Sequence, residues 1–168
     1  PLPNEFSGYL SAMAGTDNAT DILARIGGKT GAFGFQLETV QQNFDGFKNL
    51  YINDSKQNTG FNTQDYVIKL GLESDRSSRL YQAAVLKLGK TKHDGNETYL
   101  GLTEEDFAKN PYDRYTGSQL DNIKTDHDQI QLTYLLEDRD GSWDFSTTIY
   151  NNEFERNWFK LAKVNGIG

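Results

Sequence analysis

Few residues in this sequence have the type and spacing to do chemistry, and each has a plain structural use beside the chemical one. The two histidines are His93 and His127, and His127 stands in TDHDQ between two carboxylates. Adjacent strand residues point to opposite faces, so Asp126 and Asp128 do not build a metal site around His127, which reads as a rim histidine. Glu104, Glu105 and Asp106 resemble clustered catalytic acids. They fall in the first turn of a short helix, where the helix dipole accounts for them. The DRDG of Asp138 to Gly141 lacks the further spaced oxygens and closing Glu of a calcium loop, and reads as a tight turn. There is no Ser-His-Asp order, nucleophile elbow or phosphate loop. No catalytic residue, metal ligand or cofactor is expected, and the chain reads as a non-enzyme.

The remaining constellation is Arg114 between Tyr112 and Tyr115. A guanidinium flanked by aromatic rings holds an anionic chelate through paired hydrogen bonds. These three residues are the expected ligand contacts. The competing use of Arg114 is an ion pair with Asp113 or Asp121.

The elements that must carry these residues follow from composition and periodicity. The 168 residues include no cysteine, which removes disulfides, thiol nucleophiles and thiolate metal sites. The net charge of -7 is spread along the chain, so nucleic acid is not an expected partner. No stretch approaches the ~20 apolar residues of a spanning helix, but a barrel strand needs only ~9–11. Beginning at Pro1 and ending in the polar run VNGIG, the chain reads as a segment of a longer protein.

Alternation of period two dominates. Phe33, Phe35 and Leu37 share one face, opposite Gly34, Gln36 and Glu38. Tyr66, Ile68, Leu70 and Leu72 oppose Asp65, Lys69, Gly71 and Glu73. Ile130, Leu132, Tyr134 and Leu136 alternate with Gln129, Gln131 and Thr133, and Trp143, Phe145 and Ile149 with Asp144, Ser146 and Thr148. RLYQAAVLKLGK is a noisier strand, and FSGYLSAMAG and TDILARIGG complete seven. Turns such as GGKTG, ESDRSS and EDRDGS are short, whereas Gln42–Thr63 and Thr91–Thr125 are long. Alternation alone fits a soluble β-rich ligand- or carbohydrate-binding module as well, with the long loops as its site. Long loops emerging on one side favour an outer-membrane barrel. Phe33 and Trp143 would then sit in an aromatic girdle beside the short turns. Thr103 as N-cap, acids in the first turn and Pro111 as a stop predict a helix over about 103 to 109.

GGKTGAFGFQLETVQQNFDGFKNL and TGFNTQDYVIKLGLESD resemble the early barrel hairpins of TonB-dependent outer-membrane receptors of the ferric-citrate type. TYLGLTEEDFAKNPYDRYTGSQLDNIKTDHDQIQLTY is similar to the family's ordered long-loop string of YLGLT, D-F, NPY, RY, SQLD and H-x-Q-x-x-L. Asp113 stands where similar receptors often carry a second basic residue. The resemblance implies an all-β, antiparallel up-and-down transmembrane barrel. Residues 1–168 form one partial barrel domain of about seven strands, with long extracellular loops and one loop helix. It further implies a bacterial outer-membrane location, uptake of a ferric siderophore or related metal chelate, and contact with outer-membrane lipid. The partners implied are a plug domain of the same protein and the TonB system. A passive porin-like channel, without a plug, is the further alternative.

Overall fold

In the computed structural model, which describes residues 2–164, the alternating runs become long strands. They are β1 (Ser7–Ala14), β2 (Thr20–Thr30), β3 (Phe33–Phe44), the two-residue pair β4 (Tyr51–Ile52) and β5 (Ser55–Lys56), then β6 (Phe61–Glu73), β7 (Leu80–Asn96), β8 (Asn122–Asp138) and β9 (Asp144–Phe159). The seven long strands pair antiparallel in chain order, β1-β2-β3-β6-β7-β8-β9, and β4-β5 is a separate hairpin within a loop. The all-β antiparallel class and the seven strands are as expected. The sheet is open: β1 and β9 form its two edges. The predicted helix is α1 (Glu104–Lys109), with the Thr103 hydroxyl accepting from the Asp106 amide and Asn110 closing it before Pro111.

The strands run further toward the long loops than alternation marks them. β3 reaches Phe44, β6 starts at Phe61, β7 continues to Asn96 and β8 begins at Asn122, so the loops contract to residues 45–60 and 97–121. Polar residues on both faces hide the period there, while cross-strand ion pairs continue the ladder. Lys92 lies 3.9 Å from Asp126 and Lys124 reaches Asp94 at 3.1 Å. The β1–β2 connection, residues 15–19, lies at this same end and is short, so the side of the connections alternates but their length does not. The polar run after Val164 lies outside the described residues.

The register gives the sheet two unlike faces. Phe33, Phe35 and Leu37 stand opposite Leu72, Leu70 and Ile68; Leu70 and Ile68 meet Leu86 and Leu88, which meet Leu132 and Ile130. On the other face Gln36, Lys69, Lys87 and Gln131 form one row. The polar side is the less accessible one. On β6 the apolar Tyr66, Ile68, Leu70 and Leu72 are exposed, whereas Val67, Lys69, Gly71 and Glu73 are half-buried or buried. A sheet curled toward its polar face produces this inversion. Leu2 and Pro3, before β1, lie against that face. Leu2 covers the paired Gly34 and Gly71, and Pro3 covers Gly27. Close approach of this segment is what the missing side chains allow.

Among the described residues no apolar core forms to compensate. Leu50 and Tyr81 are the buried hydrophobic residues among those described, while Leu10, Ile22, Ile68, Leu72, Ile130, Phe145 and Ile149 all stay exposed. With ~1.5–3 kcal/mol per fully buried large apolar side chain and about a dozen such side chains half covered, the uncollected term is on the order of 10 kcal/mol. That equals the whole stability of an ordinary domain.

The apolar residues form a belt, and the belt is oblique to the register. On β2 it is centred on Ala24, between Ile22 and Ile26. The register row through Ala24 passes Thr39, Tyr66 and Lys90 to Asp128. On β8 the belt runs from Ile130 to Leu136, so its middle lies five residues beyond Asp128 after four strand-to-strand steps. At ~3.3 Å per residue and ~4.8 Å between strands, that drift corresponds to strands tilted about 40° from the normal to the belt. Closed barrels require tilts of ~35–45°.

Candidate functional site

The loop end of the sheet is built by residues that tie three loops together. Asp45 accepts from Asn18 at 2.5 Å and from Asn58 at 2.8 Å, fixing the 15–19 and 45–60 loops to each other. Gly46 follows with φ +85, and a Cβ there would overlap the Thr59 backbone. Only glycine fits both constraints. Asn49 then forms a parallel bridge with Asp113: its amide donates to the Tyr112 carbonyl, and the Arg114 amide donates to its carbonyl, both at 2.8 Å. At the far side of the long loop, the buried Asp121 carboxylate accepts from the Tyr99 amide at 3.0 Å and from the Leu161 amide at 2.7 Å. The segment after β9 is thereby fastened to the same assembly.

Between these loops and the polar face lies an open cleft of about 560 Å³, lined by Phe44, Phe47, Lys48, Phe61, His93 and Tyr99 among others. Its aromatic rings contact in series. Phe44 meets Phe61 at 6.1 Å and Phe47 at 6.4 Å, Phe61 lies 5.7 Å from His93, and Phe47 meets Tyr112 edge-on at 6.1 Å. Such spacing is that of favourable aromatic pairs. Lys48 supplies the charge, with its ammonium donating to Thr98 at 2.9 Å. Burial, reinforced by the neighbouring Arg114 guanidinium and partly opposed by Glu97, holds its pKa below the usual lysine value. Glu97 is itself engaged by the Trp158 indole at 3.0 Å. Lys160 lies 3.9 Å from the ring centroids of both Tyr99 and Trp158, a double cation–π contact. Aromatic faces and cations of this kind suit a flat or anionic ligand.

The three residues singled out in the sequence divide their roles. Arg114 donates to the main-chain carbonyls of Pro111 and Asp113, at 2.9 and 2.5 Å, and no ion pair engages it among the described residues. Tyr112 is exposed and packs on Phe47, beside the cleft. Tyr115 turns away, donating to Asp106 at 2.7 Å and accepting from the Thr103 amide, and so anchors α1. Thus Tyr112 reaches the cleft only through Phe47, Arg114 is a charge near Lys48, and Tyr115 supports the loop. Asp106 is held below the usual carboxylate range, chiefly by the Tyr115 hydroxyl.

His93 lines the cleft, its Nδ1 2.8 Å from the Thr63 hydroxyl. His127 packs edge-on against Phe154 at 5.9 Å, further along the polar face. Among the described residues no three His, Asp or Glu side chains are placed to hold a metal ion. Sequence reasoning missed Lys48, Phe44, Phe47, Phe61 and Tyr99 as a group, because they come from separate segments: Phe44 meets Phe61 through the strand register, and Tyr99 is placed by its amide bond to Asp121. The string DGFK was the available signal, since its Asp, Gly, Phe and Lys each make one of the contacts above. Scanned against protein-family models, curated proteins and solved structures, the chain matches none of them.

Proposed function

We propose that this chain is part of the barrel wall of a bacterial outer-membrane receptor for TonB-dependent uptake of a ferric siderophore or related metal chelate. The observation that carries the proposal is the oblique apolar belt, exposed on the outside of a sheet whose inside is polar. In a bilayer the belt would meet hydrocarbon, and its slant is the one that tilted barrel strands have. The likeness of the DGFK and YLGLT…SQLD strings to those receptors supports the same assignment. The aromatic and cationic cleft would then lie at the outer mouth, where a chelate arrives.

β1 and β9 run in the same direction, because they are separated by an even number of antiparallel steps. An antiparallel barrel that includes these seven strands therefore takes an odd number of further strands, since a direct β1–β9 seam would be parallel. A plug domain inside and the TonB system beneath would complete the transporter. A soluble ligand-binding module is the other class of reading, and it needs an apolar core within the chain.

The test is refolding from urea with and without detergent micelles, followed by far-UV circular dichroism and sedimentation. Strand content that forms only with detergent is expected. A monodisperse β-rich monomer in plain buffer would overturn the barrel assignment in favour of the soluble module.

A further inference from the structure

The polar face carries one concentration of charge that its own residues leave unanswered. Lys69 on β6 and Lys87 on β7 are directly opposite each other, half-buried and on the same face. Like charges in that relation are unfavourable. Among the described residues no ion pair engages either ammonium, and the acids nearest along this face are committed elsewhere. Glu38 is 3.8 Å from Arg25, Glu73 pairs with Lys29, and Asp65 accepts from the Thr91 hydroxyl at 2.5 Å. The row continues on either side with Gln36 and Gln131, which are neutral donors.

Two residues beyond each lysine, on the same face, stand Gly71 and Gly89. The pair is thus bordered by bare backbone, and polypeptide already uses one of these openings. Leu2 lies over Gly34 and Gly71, two register positions from Lys69 on the same face. Chain can therefore approach this part of the face closely enough to bring a side-chain carboxylate between the two ammonium groups. A carboxylate there would accept from both, as charge-assisted hydrogen bonds.

We propose that Lys69 and Lys87 form a seat for a carboxylate carried by polypeptide lying against the polar face. The proposal rests on reading that face as the wall of a filled interior. A free carboxylate or phosphate offers the same chemistry, and Leu2 on its glycines is what favours a polypeptide source.

The full chain, folded in whichever medium gives its strand spectrum, is titrated against a fluorescein-labelled Gly/Glu peptide and anisotropy is read. Saturable binding is expected, weakened about tenfold or more in the Lys69→Gln/Lys87→Gln double variant. It should be unchanged in Lys124→Gln, which removes a cation from the opposite face. Free glutamate and inorganic phosphate should compete only at much higher concentration than unlabelled peptide. Equal binding by the double variant, or no saturable binding, overturns the seat. Competition by phosphate as effective as by peptide overturns the polypeptide source. The detergent requirement of the same samples scores the membrane assignment separately, so the two can fail independently.

Discussion

Asn49 and Asp113, 64 positions apart in the chain, form a parallel bridge in a molecule whose long strands all pair antiparallel, and the Asn49 side chain donates to the Asp113 carboxylate at 3.1 Å. This contact sets two long loops side by side and brings Lys48 toward Arg114. The double-mutant cycle Asn49→Ala and Asp113→Ala should give a coupling of about 0.5–1.5 kcal/mol, the worth of an ordinary side-chain hydrogen bond. Denaturant midpoints of the four proteins measure it, and strict additivity would show that the side-chain contact does not help hold the loops, the main-chain bridge being untouched by these substitutions.

Gly46 tests the assembly from another side. With φ +85 and the Thr59 backbone against it, Gly46→Ala should cost about 1–3 kcal/mol or more. Gly31 has φ +55 with open space around it, so Gly31→Asn should be nearly neutral. Thermal midpoints in a common medium compare the two, and equal losses would refute the close packing.

The loop helix should respond to acid. The Asp106 carboxyl is held below its ordinary value by the Tyr115 and Thr103 hydroxyls and by Lys109. A depressed carboxyl stabilises the folded loop fully above its unfolded pKa, ~3.9 for an aspartate, and loses that contribution as the pH falls through the lower folded value. Amide exchange over residues 104–109 should quicken in that acid window. Tyr115→Phe should quicken it at neutral pH too, and a profile identical to the parent chain would reject the anchoring role.

Much of this arrangement was legible in the sequence where backbone and side chains obey one rule. Leu70 lies in a clean alternation and sits where that alternation puts it; Thr103 caps α1 as its spacing requires. Thr91 to Asn96 were not legible as strand, because charged and polar residues occupy both faces and the period vanishes while the ladder goes on. The cleft was hidden for a different reason. Lys48, His93 and Tyr99 lie on three separate segments of the chain and meet only through tertiary pairing. Tyr115, grouped by sequence with Arg114, is drawn off by Asp106, a partner nine residues away.

Lys48 gives the cleft a pH signature. Burial first, and then the Arg114 charge, lower its pKa. An anionic ligand seated between the two cations needs Lys48 protonated. Affinity should therefore hold through neutral pH and decline as the pH rises through the lowered lysine value, earlier than for an ordinary lysine at ~10.4. Titration of a citrate-type ferric chelate across alkaline pH reads this out. Lys48→Arg should move the decline upward, and a pH profile unaffected by that exchange would exclude Lys48 from the contact.

The slant of the belt separates two residues that the register alone would equate. Ala24 and Glu153 lie on one row, which passes through Thr39, Tyr66, Lys90 and Asp128. If strands tilt as the apolar residues indicate, Ala24 is at the middle of the hydrocarbon layer while Glu153 has already risen above it. Ala24→Lys should then cost ~2–4 kcal/mol in lipid vesicles, the cost of a cation at the bilayer midplane. Glu153→Lys should be neutral or favourable, because it also removes the like-charge opposition of Glu153 and Asp128. Unfolding by denaturant in vesicles compares the two variants. Equal penalties would mean that the belt follows the register, and the strands would not be tilted as a closed barrel requires.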